Sequence, residues 1–236
     1  MKQTLKSGIT LIIIFSLLCL VGCSFDPSDY SVVSYNIIWT ECEREILTEY
    51  LPTRVYYEIA GISTDRYIGC KYRGNGIGAD EDPVLMQHND YEDALELNIS
   101  SARLILSESG KNYSQEEWMS YGKNIVVEEL LQIDLGIAEQ LADAIVAENY
   151  FDYNGNGIYF DSSNYICDNE GKYLRLQFTL KHYDTLSWIA YILKHEGGYY
   201  IEVKKDINNP QFLVCGEEFA ELLDIVFDEY NLNTKH

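Results

Sequence analysis

Hydrophobic residues occupy every second position in one stretch in the last third of the chain, and this alternation constrains the fold more than any other feature of the chain. The apolar members are Leu174, Leu176, Phe178 and Leu180, and the polar residues between them are Arg175, Gln177 and Thr179. Successive side chains of a strand point to opposite faces, so the pattern predicts a half-buried strand. Residues 186–194 and 199–204 continue it after two turns. We therefore expect an antiparallel meander over about residues 157–205.

Two amphipathic helices are predicted beside this meander. Near the C-terminus, apolar residues recur at helical spacing, at Phe219, Leu222, Leu223, Val226 and Tyr230. This spacing places them on one face of a helix that closes the chain. Upstream, Asp134 is a suitable N-cap for a helix whose apolar face carries Ile137, Leu141 and Ile145. The expected fold class is α+β, with helices packed on an antiparallel sheet.

The N-terminal half contains weaker patterns. A strand is predicted over 30–39, a helix over 40–50 and a hairpin from 53–60 with 67–73. Between 84 and 110 the pattern fits either a strand or a short helix, and we favour a strand. The capping-box sequence that begins at Ser114 predicts a helix over 114–131. Residues 31–236 form either one domain or two subdomains, at about 31–110 and 111–236.

The first 23 residues have the features of an export signal. Lys2 and Lys6 precede an uncharged, mostly apolar run from Ile9 to Val21, which is shorter than the roughly 20 residues that a membrane-spanning helix needs. The run ends in Leu20-Val21-Gly22-Cys23, which resembles the lipobox of bacterial lipoprotein precursors, although Ala or Ser is commoner at the position of Val21.

This resemblance implies cleavage before Cys23 and attachment of diacylglycerol to its sulfur. Residues 1–22 are then a signal peptide, and residues 23–30 are a short tether. The expected location is the extracytoplasmic face of the cell membrane, where the lipid on Cys23 holds the protein. Two acyl chains anchor a protein far more firmly than one.

The charge of the chain excludes some partners. Lys and Arg number 17 and Asp and Glu 38, so the formal charge is −21, and it becomes −23 if cleavage removes Lys2 and Lys6. A surface this negative repels nucleic acid and anionic headgroups. The partner classes that remain are a basic peptide or protein, a divalent cation and a neutral glycan; nucleic acid is not expected.

Four cysteines remain after Cys23, and their number permits two disulfides in an oxidising compartment. We favour Cys42 with Cys70 and Cys167 with Cys215, because each pair stays within one half of the chain. The alternative is four buried free thiols.

One segment resembles the first half of an EF-hand or dockerin-type calcium loop. Its oxygen-bearing side chains are Asp152, Asn154 and Asn156, Gly157 follows them, and Asp161 is a further candidate ligand. Ser163 occupies the position where a bidentate Glu or an Asp is expected. An ordinary Asn-Gly turn is the preferred interpretation. No cofactor is required, and calcium is kept as a hypothesis.

No catalytic motif stands out in the sequence. His88, His182, His195 and His236 are scattered. Tyr56-Tyr57 and Tyr199-Tyr200 should place one ring on each face of their strands, where aromatic rings contribute to packing or bind a ligand. We therefore expect a non-catalytic binding or interaction module. The alternatives are an extracytoplasmic hydrolase whose site is assembled from distant residues and an acidic inhibitor or immunity-type protein.

Overall fold

The structure is a computed structural model in which antiparallel sheets predominate. It describes residues 25–33, 37–39, 42–46, 54–72, 84–91, 97–108, 127–147, 151–152, 160–204 and 211–235. Within these ranges fifteen strands and two α-helices are present, so the fold contains more strand than the predicted α+β class implied.

The first sheet has five strands, all antiparallel to their neighbours. They are β1 (Tyr30–Val32), β3 (Cys42–Ile46), β4 (Arg54–Ile59), β5 (Tyr67–Tyr72) and β6 (Val84–His88). Their order across the sheet is β1-β6-β5-β4-β3. The predicted hairpin is confirmed as β4 and β5. Gly61, in the turn between them, has a φ of 74°, a value that glycine adopts readily because it lacks Cβ.

The second sheet has ten strands and contains the predicted meander. They are β2 (Ile37–Trp39), β7 (Ile99–Ser107), β8 (Val127–Ile133), β9 (Phe151–Asp152), β10 (Ile166–Cys167), β11 (Tyr173–Leu180), β12 (Tyr183–His195), β13 (Gly198–Lys204), β14 (Gln211–Val214) and β15 (Asn233–Thr234).

The long strand β12 organises this sheet. It bonds to β11 along one edge, and along the other it bonds first to β2 and then to β13. β11 bonds to β7 on its other side, and β7 bonds to β8. The meander β11-β12-β13 is therefore confirmed for residues 173–204.

The two amphipathic helices predicted beside the meander are both present. Helix α1 spans Leu135–Val146 and is capped by Asp134, whose carboxylate accepts a hydrogen bond from the Gly136 amide at 2.8 Å. Such a cap contributes about 1 kcal/mol. Helix α2 spans Glu217–Glu229 and buries Phe219, Leu223 and Val226. Short 3-10 helices occupy Pro27–Asp29 and Ser162–Asn164. Neither of the described helices is long and apolar enough to cross a membrane.

The main core lies between the two sheets and beneath the helices. We call the faces that meet in this core the inner faces, and the opposite faces the outer faces. At one end of the second sheet, Trp39 packs on the Tyr57 ring of the first sheet, with centroids 5.9 Å apart, and Phe178 stacks on Trp188. Elsewhere on the same inner face, helices α1 and α2 cover apolar residues of the second sheet. The core residues of both sheets and both helices form one cluster.

Two predicted helices are wrong where the structure describes them. Residues 42–46, within the predicted helix 40–50, form β3, in which Arg44 pairs with Glu58 of β4. Residues 127–131, the end of the predicted helix 114–131, belong to β8, which bonds to β7. In both cases a neighbouring strand offers unpaired backbone groups, and pairing with it outweighs a weak local helical preference. The rest of both predicted helices lies outside the described residues.

The two halves of the chain share one sheet. β7 precedes residue 110, yet it pairs with β8 and β11, which follow it. Similarly, β2 pairs with β12. The described residues on both sides of position 110 therefore contribute strands to the same sheet and side chains to the same core cluster.

Candidate functional site: a row of buried charges on the outer face

Of the four candidate ligands of the predicted calcium loop, Asp152 and Asp161 lie in the described part of the chain. Asp152 pairs with Gln211 at the edge of the second sheet. The Asp161 carboxylate accepts hydrogen bonds from the Ser163 hydroxyl at 2.5 Å and the Ser163 amide at 2.8 Å, and these bonds lower its pKa. Asp161 therefore caps the 3-10 helix. Asn154 and Asn156 lie outside the described residues, so the calcium site stays a prediction. No group of three potential metal ligands occurs in the part of the chain that the structure describes.

The partners of both predicted disulfides are far apart, and none of these four cysteines forms a disulfide. Cys42 and Cys70 lie on β3 and β5, which flank β4, so their Cα atoms are separated by at least about 9 Å, more than a disulfide spans. They also pack on opposite faces of the first sheet. Between Cys167 in β10 and Cys215 after β14 lie three other strands.

The tyrosine pairs point as predicted. Tyr57 and Tyr199 lie on the inner faces, whereas Tyr56 and Tyr200 lie on the outer faces. The histidines are dispersed: the His88 ring contacts Tyr30, His195 contacts Asn164, and His182 lies exposed in the turn after β11. His236 lies outside the described residues.

The feature that sequence reasoning missed is a pair of buried charges on the outer face of the second sheet. Arg175 in β11 is 1% exposed and Glu202 in β13 is 3% exposed. Arg175 is directly opposite Tyr191 in β12, and the register that pairs Ile192 with Ile201 places Glu202 beside Tyr191. Arg175, Tyr191 and Glu202 thus form one row across three strands, which we call the charged row.

Tyrosines bind both charges of the row. The Arg175 guanidinium donates a hydrogen bond to the Tyr191 hydroxyl at 2.6 Å, and its central carbon lies 4.2 Å from the Tyr191 ring centroid. The Tyr165 hydroxyl donates to the Glu202 carboxylate at 3.1 Å. Burial raises the pKa of Tyr165, and the nearby Glu202 carboxylate raises it further. Tyr165 therefore stays a neutral hydrogen-bond donor throughout the physiological range.

The Tyr191 ring of the row packs with the rings of Tyr165 and Tyr173, and the three rings lie at nearly right angles to one another. The centroids of Tyr165 and Tyr191 are 5.3 Å apart, those of Tyr173 and Tyr191 are 5.6 Å apart, and those of Tyr165 and Tyr173 are 6.2 Å apart, with interplanar angles of 83° to 89°. Lys235 donates to the Tyr173 hydroxyl. Edge-to-face packing stabilises such a cluster. Because the three rings are perpendicular, the cluster does not form the flat aromatic surface on which a sugar ring stacks.

The burial of this row explains why the sequence pattern was misleading. Alternation assigned Arg175 and Gln177 to a solvent-exposed face, but both are buried, and Gln177 accepts a hydrogen bond from Arg103. Burying a charge is costly unless it is paired and hydrogen-bonded. The available signal was that Tyr173, Tyr191 and Tyr200 fall on the same strand faces as Arg175 and Glu202.

Comparison with known proteins supplies no family for this chain. No family model matches it, and no match is found among the curated proteins or among the solved structures.

Proposed function

We propose that this protein is a lipid-anchored, extracytoplasmic interaction protein without catalytic activity. The observation that carries the proposal is the short separation in sequence between Cys23 and Phe25, the first residue that the structure describes. The lipobox-like leader ends at Cys23, and Phe25 already packs on Tyr30 and Tyr56 of the first sheet, with ring centroids 5.5 Å apart in both contacts. Cleavage before Cys23 would therefore leave a single residue, Ser24, between the lipidated cysteine and a residue of the folded domain.

The protonation states of the described thiols support a non-catalytic role. Burial raises the pKa of Cys70 to about 11, and it also raises the pKa values of Cys167 and Cys215. The thiolate is the reactive form of cysteine. These three cysteines are therefore protonated near neutral pH, which argues against the hydrolase alternative with a cysteine nucleophile.

Charge favours a basic peptide or protein as the partner. The sequences of α1 and α2 contain eight acidic residues and no basic residue. Several basic side chains are already paired with acids, with Arg44 2.7 Å from Glu58 and Lys172 2.8 Å from Glu170. The perpendicular tyrosine rings make a stacked glycan less suitable. A negative surface of this kind accelerates the encounter with a positively charged molecule.

The anchor is tested by Cys23→Ser. We expect the wild-type protein to carry lipid on Cys23 in its intact mass and to stay in the membrane fraction at high salt. The variant lacks the sulfur that accepts the lipid, so it should leave the membrane fraction, since each buried CH2 contributes about 0.8 kcal/mol to anchoring.

The matched control is Cys167→Ser, which changes a partly exposed thiol in the folded domain and should leave membrane retention unchanged. An unmodified Cys23 in a wild-type protein that is still retained by the membrane would contradict the proposal.

The partner class is tested by two double variants of equal net charge. Glu221→Lys with Glu229→Lys changes α2, whereas Glu43→Lys with Glu196→Lys changes two exposed acids outside the helices. If the field of the whole surface attracts the partner, both variants should slow association with a lysine-rich peptide to a similar extent, and added salt should reduce the difference from wild type. Stopped-flow measurements of the association rate constant provide the comparison. Rates that are unaffected by either variant or by salt would exclude electrostatic attraction.

A further inference from the structure

We propose that the surface around Phe25, which lies over the outer face of the first sheet, rests on the phospholipid bilayer, so that the charged row faces away from the membrane. This inference depends on the lipid anchor at Cys23 proposed above. It adds the orientation of the domain and identifies the surface in contact with lipid.

The first argument is the length of chain between the lipid and the fold. Cys23 is two residues from Phe25, and two residues span at most about 7 Å. Phe25 is packed on the outer face of the first sheet, where it helps to cover the buried residues Tyr56, Ile68 and Met86. Asp26, directly after it, accepts a hydrogen bond from the Ser28 amide at 2.9 Å and caps the first 3-10 helix. Residues 25–30, predicted to be tether, are therefore part of the fold, and the lipid must lie next to this face.

The second argument is the chemistry of the surface around Phe25. The Tyr30 ring contacts the His88 ring at 5.0 Å, and the His88 ring contacts Tyr91 at 6.3 Å. Tyr91, which follows β6, is 41% exposed, and Val32 of the neighbouring strand β1 is 52% exposed. Tyrosine and histidine combine an apolar body with a polar tip, which suits the headgroup region of a bilayer. We call Phe25, Tyr30, Val32, His88 and Tyr91 the membrane-facing patch.

The third argument concerns the lipid that this patch accepts. Asp26, Asp29 and Asp90 are exposed beside it, and the Arg66 guanidinium lies 5.5 Å from the Tyr91 ring centroid. Exposed carboxylates repel an anionic headgroup within about a Debye length, roughly 8 Å at physiological salt. The patch therefore suits a zwitterionic phospholipid surface.

The orientation follows from the way the sheets pack. The two sheets meet through their inner faces, with Trp39 beside Gly69, so their outer faces point in opposite directions. If the surface around Phe25, over the outer face of the first sheet, rests on the bilayer, the outer face of the second sheet faces the extracytoplasmic space. Arg175, Tyr191 and Glu202 lie on that second face.

Photo-crosslinking to lipid tests this orientation. A benzophenone amino acid is placed at position 91 or 32 of the full-length lipidated protein, or at position 132 as a control, and each variant is reconstituted in phosphatidylcholine vesicles. Gln132 is exposed and pairs with Arg103 on the outer face of the second sheet. We expect lipid adducts at positions 91 and 32, several-fold more abundant than at position 132. Equal yields at all three positions, or none at 91 and 32, would overturn the inference.

The same samples separate the two proposals. If intact mass shows lipid on Cys23 but the adducts do not favour positions 91 and 32, the anchor stands and the orientation is wrong. If no lipid is found on Cys23, both proposals fail.

Discussion

Arg175→Met will lower the free energy of unfolding by about 3–5 kcal/mol, the usual cost of removing one partner from a set of buried charges. The substitution removes the hydrogen bond to Tyr191 and the stacking of the guanidinium on its ring. It also removes a buried positive charge two strands away from the Glu202 carboxylate. Urea denaturation followed by circular dichroism measures the change.

Arg103→Met is the matched control for this prediction. Arg103 lies on the same face of the same sheet, but its side chain is 36% exposed and its partner Glu129 is 47% exposed. An exposed pair of this kind contributes about 0–1 kcal/mol. Equal losses of stability in the two variants would show that the burial of Arg175 has no particular energetic importance.

A double variant examines whether the two buried charges interact. Because Glu202→Leu removes the negative charge of the row, we expect Arg175→Met with Glu202→Leu to cost less than the sum of the two single changes. If the costs are additive, Arg175 and Glu202 are independent, and the row is not an electrostatic unit.

Trp39→Ala will also lower the free energy of unfolding by about 3–5 kcal/mol, the range found when a large aromatic side chain is truncated in a core. Trp39 has no exposed surface, and it packs between the sheets against Tyr57 and Gly69. Its removal leaves a cavity where the first sheet rests on the second. Tyr91→Ala, which truncates a 41% exposed ring, is the control and should cost far less.

Gly69→Ala examines the same contact from the opposite sheet. A Cβ at Gly69 would lie 2.8–2.9 Å from three atoms of the Trp39 ring, and overpacking of this kind costs about 1–3 kcal/mol. Trp39→Phe shortens the ring system, so it should restore part of the stability of Gly69→Ala. If Trp39→Phe and Gly69→Ala are simply additive, the contact between these two residues is not what limits packing of the sheets.

The elements that could be predicted from the sequence are those with local causes. The β4–β5 hairpin combines β-forming residues with turn residues. The Asp134 cap and the apolar faces of α1 and α2 depend on spacing within one helix. The alternation in β11 correctly predicted a strand, because side-chain direction is a property of the strand itself.

The elements that could not be predicted depend on distant residues. β3 and β8 are strands because β4 and β7 offer edges for pairing. Cys42 and Cys70 lie in the same half of the chain, but they pack on opposite faces of a sheet. Arg175 is buried because the outer face of β11 is covered, and no pattern within β11 indicates that cover.

The sequence alone determined the acidity of the chain, the central meander and the helices α1 and α2, since each depends on composition or on periodicity within one segment. Only the tertiary structure decided that both halves share one sheet, that Phe25 joins the fold two residues after Cys23, and that Arg175 and Glu202 are buried in one row. The physical reason is that strand pairing and burial join residues from separate segments, and which segments meet depends on the free energy of the whole core.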